Sequence, residues 1–109
     1  ETFDIAGSTG IAHCLRSPSD VIAMLRALGR VVRPGGALAF SSFNDTSQDL
    51  RGHEPEFRPL LLPHSLLLDE VREAGFDVSS ESNSLLSDLH PHIGIRHSHS
   101  ITRVVAVRR

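Results

Sequence analysis

The sequence of 109 residues is 39% hydrophobic and 22% charged, and its formal net charge is −2. This length allows one domain with a modest core, and the composition is typical of a soluble globular protein. The sequence has no basic tract, no apolar run of membrane-spanning length and no signal peptide, which argues against nucleic-acid binding and membrane insertion. The single cysteine, Cys14, excludes an internal disulfide, so we expect a reducing, cytoplasmic location and a small buried side chain there.

The first residues predict a strand that runs into a glycine-rich loop. The chain opens without methionine and directly on an apolar segment, so we expect it to be a piece of a longer protein. Phe3–Ala6 is predicted as a short strand. Gly7-Ser8-Thr9-Gly10 is predicted as the loop that leaves it, because glycine and small hydroxyl residues allow tight turns. Ile11–Leu15 is expected to form one helical turn.

A long amphipathic helix is predicted next. Ser17 followed by Pro18 is typical of a helix start. Apolar residues then recur at helical spacing: Val21, Met24, Leu25, Leu28, Val31 and Val32. Pro34-Gly35-Gly36 is expected to end the helix, because proline lacks an N–H and glycine adopts the left-handed conformation of many helix ends.

The segment after this stop predicts a buried strand. Ala37–Phe40 is apolar without alternation, as in a strand covered on both faces. Ser41 and Ser42 are expected where this strand ends, which is the edge at which open α/β sheets bind ligands. Asn44–Pro59 is polar and is predicted to be a long irregular connection.

A second helix is predicted from Pro63 or Ser65 to Ala74. Leu67, Val71 and Ala74 mark its apolar stripe. Gly75 is expected to close it in the left-handed conformation, with the next residue packing back on the last turn.

The last third of the chain predicts two strands with an irregular segment between them. Phe76–Ser82 alternates loosely and Ile101–Arg108 is rich in β-branched residues, whereas Ser84–Ser100 is predicted to be irregular. The resulting order is strand, helix, strand, helix, strand, strand. It predicts an α/β fold whose mostly parallel sheet contains one antiparallel strand and carries helices on its faces.

Four segments together resemble the C-terminal half of a class I S-adenosylmethionine-dependent methyltransferase. They are FDIAGSTGIAHCL at 3–15, LRALGRVVRPGGALAFSSF at 25–43, EAGFDV at 73–78 and VVAVRR at 104–109. The resemblance implies a Rossmann-like half-sheet that holds the fourth to seventh strands of that family. The glycine-rich loop and the acidic residue with which the family holds the methionine and ribose parts of its cofactor do not occur in these 109 residues.

The resemblance also implies a cofactor-facing segment. The loop after the family's fourth strand lies against S-adenosyl-L-methionine, and Gly7, Ser8, Thr9 and His13 match it by position. The alternative is that Ser8 and Thr9 only satisfy backbone groups in a turn and that His13 is structural.

The remaining candidates are histidines near the C-terminus. His90-Pro91-His92 and His97-Ser98-His99 each place two imidazoles on one side of an extended chain, as a metal site would need. The motif is short and no cysteine or acidic cluster completes a ligand set, so we expect no metal. His97 or His99 is the candidate base for methyl transfer, because histidine titrates near neutrality. The alternative is a solvated loop.

The function implied by the resemblance is methyl transfer to an oxygen or nitrogen of a small molecule, with this part alone inactive. The alternative is a non-catalytic binding or assembly module. In the family's sheet the fourth strand lies beside the first, so Phe3–Ala6 would carry unpaired backbone groups here. We expect this edge to pair with a missing N-terminal half or with a second chain.

Overall fold

A computed structural model describes residues 2–50, 56, 58–90 and 95–109. The described residues form four strands, two α-helices and one turn of 3₁₀-helix. Their bounds are β1 Phe3–Thr9, the 3₁₀ turn Ala12–Cys14, α1 Pro18–Val31, β2 Val32–Gln48, α2 His64–Glu73, β3 Phe76–His90 and β4 Ile95–Arg108. This order confirms the predicted alternation of strands and helices with two strands at the end.

The four described strands form an open sheet in the order β1-β2-β4-β3. β1 pairs in parallel with β2, whereas β4 runs antiparallel to both β2 and β3. Three strands therefore point the same way and β4 opposes them, which confirms the predicted class of a mostly parallel α/β sheet with one antiparallel strand.

Both helices pack on the same face of this sheet. Their buried side chains join the core residues of the strands in one cluster that includes Leu25, Val71, Leu38, Phe40 and Ala106. Burial of this apolar surface is the main source of stability that the sequence offers.

The start of α1 and the end of α2 follow the sequence signals. Ser17 Oγ accepts a hydrogen bond from the backbone N–H of Asp20 at 3.3 Å, which satisfies one of the free donors at the helix start. Gly75 follows α2 with φ +106°, and the next side chain, Phe76, is completely buried. These caps fix the ends of the elements that carry the core.

The helices approach each other closely at Gly29. A Cβ atom built on Gly29 would lie 2.1 Å from the backbone oxygen of Ala74. Only a residue without a side chain fits this crossing, and the periodic pattern of α1 gave no sign of it.

The predicted helix stop at Pro34-Gly35-Gly36 was wrong in its place and its role. α1 already ends at Val31, and the stop lies inside β2, where the pairing with β1 shifts register. Gly35 has φ +82°, so the left-handed glycine belongs to this irregularity of the strand. The cause is that Val32 already pairs with Phe3, so the chain becomes extended before the proline.

Three further boundaries differ from the predictions. β1 continues through the expected loop Gly7–Thr9, and only Gly10, with φ +69°, turns away. β2 continues past Ser41 and Ser42 to Gln48. Of the segment 84–100, predicted to be irregular, residues 84–90 belong to β3 and residues 95–100 to β4, and the two strands pair from Phe76↔Arg108 to His90↔Ile95. Ladder hydrogen bonds hold these polar stretches extended, although their side chains show little strand preference.

One face of the sheet is open in the described residues. Leu38 and Phe40 are buried under the helices, but Ile5 is 71% exposed, Val105 47% and Val107 40%. The prediction that Ala37–Phe40 is covered on both faces is therefore wrong for this chain, since Ala39 is exposed. The open face thus exposes large apolar side chains on β1 and β4, and exposed apolar surface of this kind can mark an interaction site.

Candidate functional site

The candidate site is a cleft of ≈ 200 Å³ at the carboxyl end of β1, where its parallel pairing with β2 stops at Thr9↔Ser41. In open α/β sheets, ligands bind at this end of the strands. Its lining combines small polar groups with apolar side chains. The lining residues are Thr9, Gly10, His13, Ser41, Ser42, Phe43, Leu86, Ile101 and Arg103.

His13 is held by the backbone of the neighbouring strand. The 3₁₀ turn after β1 buries its side chain, and its Nδ1 accepts a hydrogen bond from the backbone N–H of Phe43 at 3.1 Å. Because Nδ1 accepts, the neutral ring carries its proton on Nε2. Burial lowers the pKa of His13 below its usual 6.5, since the charged form would lose its hydration. His13 is therefore a neutral hydrogen-bond donor at the cleft.

Phe43 lies between two imidazole rings. His13 stacks on one side of it with ring centroids 4.0 Å apart, and His99 stacks on the other side at 4.2 Å. His97 meets His99 edge to face at 4.6 Å. These four rings come from three separate segments. Together they form an aromatic wall between the cleft, which His13 and Phe43 line, and the start of β4, which holds His97 and His99.

Gln48 determines which ring nitrogen of His99 carries the proton. The Gln48 amide donates from Nε2 to the backbone oxygens of Asn44 and Ser100, at 2.8 and 2.9 Å. Its Oε1 therefore faces His99 and accepts from Nδ1 at 2.6 Å. Since Nδ1 carries the proton, the lone pair of the neutral His99 ring lies on Nε2. His13 and His99 are thus held in opposite tautomers.

A buried polar network lies behind this wall. Asn44, which is fully buried, donates from Nδ2 to Asn83 Oδ1 and to Thr102 Oγ1, both at 2.9 Å. Its Oδ1 accepts from Ser100 Oγ at 2.6 Å. A buried polar group is tolerated when its hydrogen bonds are satisfied, as they are here.

His64 extends the network to the surface. Its Nδ1 lies 2.8 Å from Thr102 Oγ1, and its Nε2 lies 2.6 Å from Glu81 Oε2. Because α2 begins at His64, these contacts attach the start of this helix to β3 and β4. Hydrogen bonds therefore continue from Glu81 through Thr102 and Asn44 to Gln48 and His99.

The residues predicted to face a cofactor lie in different places. Thr9 and His13 line the cleft. Gly7 lies within β1 opposite Ala39, and the buried Ser8 places its hydroxyl 3.8 Å from the sulfur of Met24, on the helix side of the sheet. Alternation along the strand explains the separation, because successive side chains point to opposite faces.

The predicted catalytic histidines do not line the cleft. His97 and His99 are each 2% exposed, and Phe43 lies between His99 and the cleft. The first histidine pair belongs partly to β3, through His90, while Pro91 and His92 lie outside the described residues. Among the described residues no group of three potential ligands could hold a metal.

The prediction of a buried Cys14 is wrong. The 3₁₀ turn directs Ala12 and His13 inward and leaves the thiol exposed. Asn44 and Gln48 were assigned to an irregular connection and not to a strand, and neither they nor Phe43 were singled out as individual site residues. The available signal was the run of polar and amide residues directly after the strand, at the ligand edge of the sheet.

Comparison with known proteins relates the fold to methyltransferases. No family model matches this chain, and no curated protein matches it significantly. Among solved structures, TehB from Haemophilus influenzae superposes with a TM-score of 0.76 at 12% identity, over 100% of this chain and 36% of that one. A putative methyltransferase from Bacillus halodurans gives 0.75 at 13% identity, over 98% and 64%. A SAM-dependent methyltransferase from Methanosarcina mazei gives 0.74 at 14% identity, over 98% and 59%.

These similarities establish the fold. The chain has a methyltransferase-like, Rossmann-type α/β sheet, and it spans between about a third and two thirds of the length of these structures. Within the described part of the chain, neither helix has the length and hydropathy needed to cross a bilayer.

Proposed function

We propose that this chain is the C-terminal part of an S-adenosylmethionine-dependent methyltransferase that acts on an oxygen or nitrogen of a small molecule. The observation that supports the proposal is the superposition of 98% of this chain on a SAM-dependent methyltransferase and on a putative methyltransferase, at TM-scores of 0.74 and 0.75. The sequence similarity is low, so the functional step depends on the site.

The cleft offers groups that suit one side of S-adenosylmethionine. Thr9 can give and accept hydrogen bonds, the Nε2–H of His13 can donate, and the edge of the Phe43 ring, whose two faces are covered by His13 and His99, adds an apolar contact. Gly7 and Ser8 would support this wall from within β1. When bound, the cofactor supplies an electrophilic sulfonium methyl group. The part of the protein seen here would position the acceptor and exclude water.

His99 and His97 remain the proposed proton acceptors. Gln48 holds His99 in the tautomer that has its lone pair on Nε2, as a general base requires. Because the Phe43 ring separates His99 from the cleft, this role requires the ring to turn aside when the acceptor enters. His97, in edge-to-face contact with His99, is the alternative base.

The open edge and face of β1 support the proposal that further structure completes the sheet. β1 lies at the sheet edge, and Phe3 and Ile5 are 50% and 71% exposed. Such an edge recruits another strand. We infer that an N-terminal half or a second chain pairs there, and that this part alone does not catalyse transfer.

The open face also favours a second candidate function. A methyltransferase-like module without catalytic activity would use the same apolar surface to bind a partner. Cofactor binding distinguishes the two, because only the enzyme needs the cleft at the carboxyl end of β1.

Calorimetry with S-adenosylhomocysteine tests the proposal. We expect weak, millimolar binding to the 109-residue chain and no transfer of a labelled methyl group. The variant Thr9→Val, which removes a hydroxyl from the cleft, should weaken this binding, whereas Ser79→Ala, remote from the cleft, should not. Saturable micromolar binding would contradict the expected inactivity. Equal binding by both variants would contradict the site.

A further inference from the structure

A row of polar residues crosses the open face of the sheet next to the cleft. The strand pairings place Thr9 opposite Ser41, Ser41 opposite Arg103, and Arg103 opposite Ser82. Residues directly opposite each other on neighbouring strands have their Cβ atoms close together. Arg103 therefore lies between Ser41 and Ser82, and Thr9 lies one strand beyond Ser41. The hydroxyl groups of these three residues can accept or donate hydrogen bonds.

Arg103 has no carboxylate partner among the described residues. By contrast, Arg33, Arg72 and Arg109 form ion pairs with Asp4, Asp69 and Asp77. The guanidinium of Arg103 instead donates from Nη1 to Ser84 Oγ at 3.0 Å.

The carboxylate of Glu81 belongs to the other face of the sheet. Glu81 contributes to the lining of the broad groove of ≈ 380 Å³ that Arg103 also lines, but it pairs in register with Val104, which is buried under the helices, and its Oε2 lies 2.6 Å from Nε2 of His64 at the start of α2. A guanidinium has five N–H donors, so most of the hydrogen-bonding capacity of Arg103 is available to a ligand.

Apolar side chains as well as polar groups line the space around Arg103. Arg103 lines both the broad groove and the cleft at the carboxyl end of β1. In the cleft it faces Phe43, Leu86 and Ile101. A single cation beside an apolar wall matches a ligand with one anionic group and an apolar body, because a guanidinium binds a carboxylate through two parallel hydrogen bonds.

We propose that Arg103, together with Thr9 and Ser41, binds the carboxylate of the methyl acceptor, and that the acceptor is an aromatic or aliphatic carboxylic acid. That this acid is the methyl acceptor rests on the proposed function, whereas the carboxylate site at Arg103 does not depend on it. Arg103 is thus a specificity-determining residue, since it selects an acid over the corresponding amide.

Titration with benzoate and benzamide, followed by heteronuclear NMR of the full 109-residue chain, tests this inference. Benzoate should shift the signals of Arg103 Nε, Thr9 and the Ile101 methyl groups. Benzamide, which has the same ring without the charge, should bind about tenfold more weakly or worse, since a hydrogen bond to a charged group contributes about 1.5–3 kcal/mol. Equal affinity for the two probes would overturn the proposal.

Variants test whether Arg103 supplies the positive charge that binds benzoate. Arg103→Gln should lower the affinity for benzoate to that for benzamide, while Arg26→Gln, on the exposed side of α1, should leave it unchanged. Arg103→Lys should restore part of the affinity, because the charge remains but the fork of donors is lost. Unchanged benzoate binding in a folded Arg103→Gln protein would contradict the assignment. If the unmodified chain binds benzoate but does not bind S-adenosylhomocysteine, that result would count against the proposed function and not against the anion site.

Discussion

His13 and His99 stack on opposite faces of Phe43, with ring centroids 4.0 and 4.2 Å from it, and are held in opposite tautomers. His13 accepts the Phe43 N–H on Nδ1, whereas His99 donates from Nδ1 to Gln48. One aromatic ring thus separates an imidazole that carries its proton on Nε2 from one that carries its proton on Nδ1. The two sides of the Phe43 ring in the candidate site therefore differ in hydrogen-bonding character.

The tautomers lead to the first prediction. Long-range ¹H–¹⁵N spectra at pH 8 should show His13 protonated at Nε2 and His99 protonated at Nδ1. Gln48→Glu should keep His99 protonated at Nδ1, because a carboxylate can only accept there. Gln48→Leu should leave a mixture of tautomers. An Nε2–H tautomer of His99 in the unmodified chain would contradict the assigned role of Gln48.

Burial of His13 predicts that stability depends on pH. Because the folded pKa of His13 is lowered, the unfolded chain binds more protons than the folded chain between the folded pKa and about 6.5. The contribution of neutral, buried His13 to the free energy of unfolding is therefore fully present above pH 6.5 and is lost as the pH falls toward the folded pKa. Urea unfolding at several pH values should show this slope, and His13→Asn, which keeps an acceptor but does not titrate, should flatten it. An unchanged slope in that variant would assign the effect to other groups.

Asn44 should be the most sensitive polar residue of the network. Asn44→Ala removes the acceptor of the buried Ser100 hydroxyl, whereas Thr102 Oγ1 keeps its contact with His64, and an unsatisfied buried group costs about 1–3 kcal/mol. Asn83→Ala removes only a partly exposed partner of Asn44 and should cost less than about 1 kcal/mol. Equilibrium unfolding of the two variants measures the difference. Similar losses would show that Asn44 has no special role.

Two glycines provide a matched pair for the packing of the helices. Gly29→Ala would place its Cβ 2.1 Å from the backbone oxygen of Ala74, so we expect a loss of about 1–3 kcal/mol from overpacking. Gly7→Ala meets nothing nearer than 3.8 Å, at Ala39, and should be neutral or slightly stabilising. Thermal unfolding of both variants tests this, and a tolerated Gly29→Ala would disprove the close crossing.

The open apolar face predicts association. Light scattering at increasing concentration should detect species larger than a monomer, with slow hydrogen exchange at residues 3–6. Ile5→Lys should reduce association, because it places a charge on the most exposed large apolar side chain of β1. As a control, Ile11→Lys changes an exposed residue outside the sheet. A clean monomer with fast exchange in β1 would count against pairing at this edge.

Local signals in the sequence predicted the helices and the fold class. Ser17 and Pro18 marked the start of α1, and Gly75 marked the end of α2, because caps depend on neighbouring residues alone. The extent of the strands could not be predicted in this way. Polar segments such as 84–90 are extended because a distant strand pairs with them, and this pairing leaves no pattern in the segment itself.

The candidate site was predicted only in part for the same reason. Thr9 and His13 were identified from their position after β1, and both line the cleft. Phe43 and Gln48 gain their roles from contacts with His13 and His99, which are more than 25 residues away in sequence. Such contacts arise from the register of β2 against β4, and the sequence pattern does not specify that register.

The most direct test of the central claim is NMR mapping of S-adenosylhomocysteine on the ¹⁵N-labelled chain. The account predicts shifts that concentrate at Thr9, Gly10 and His13, with little change at Gly75 on the far side of the sheet. Shifts spread evenly over the surface, or confined to residues remote from the carboxyl end of β1, would contradict it.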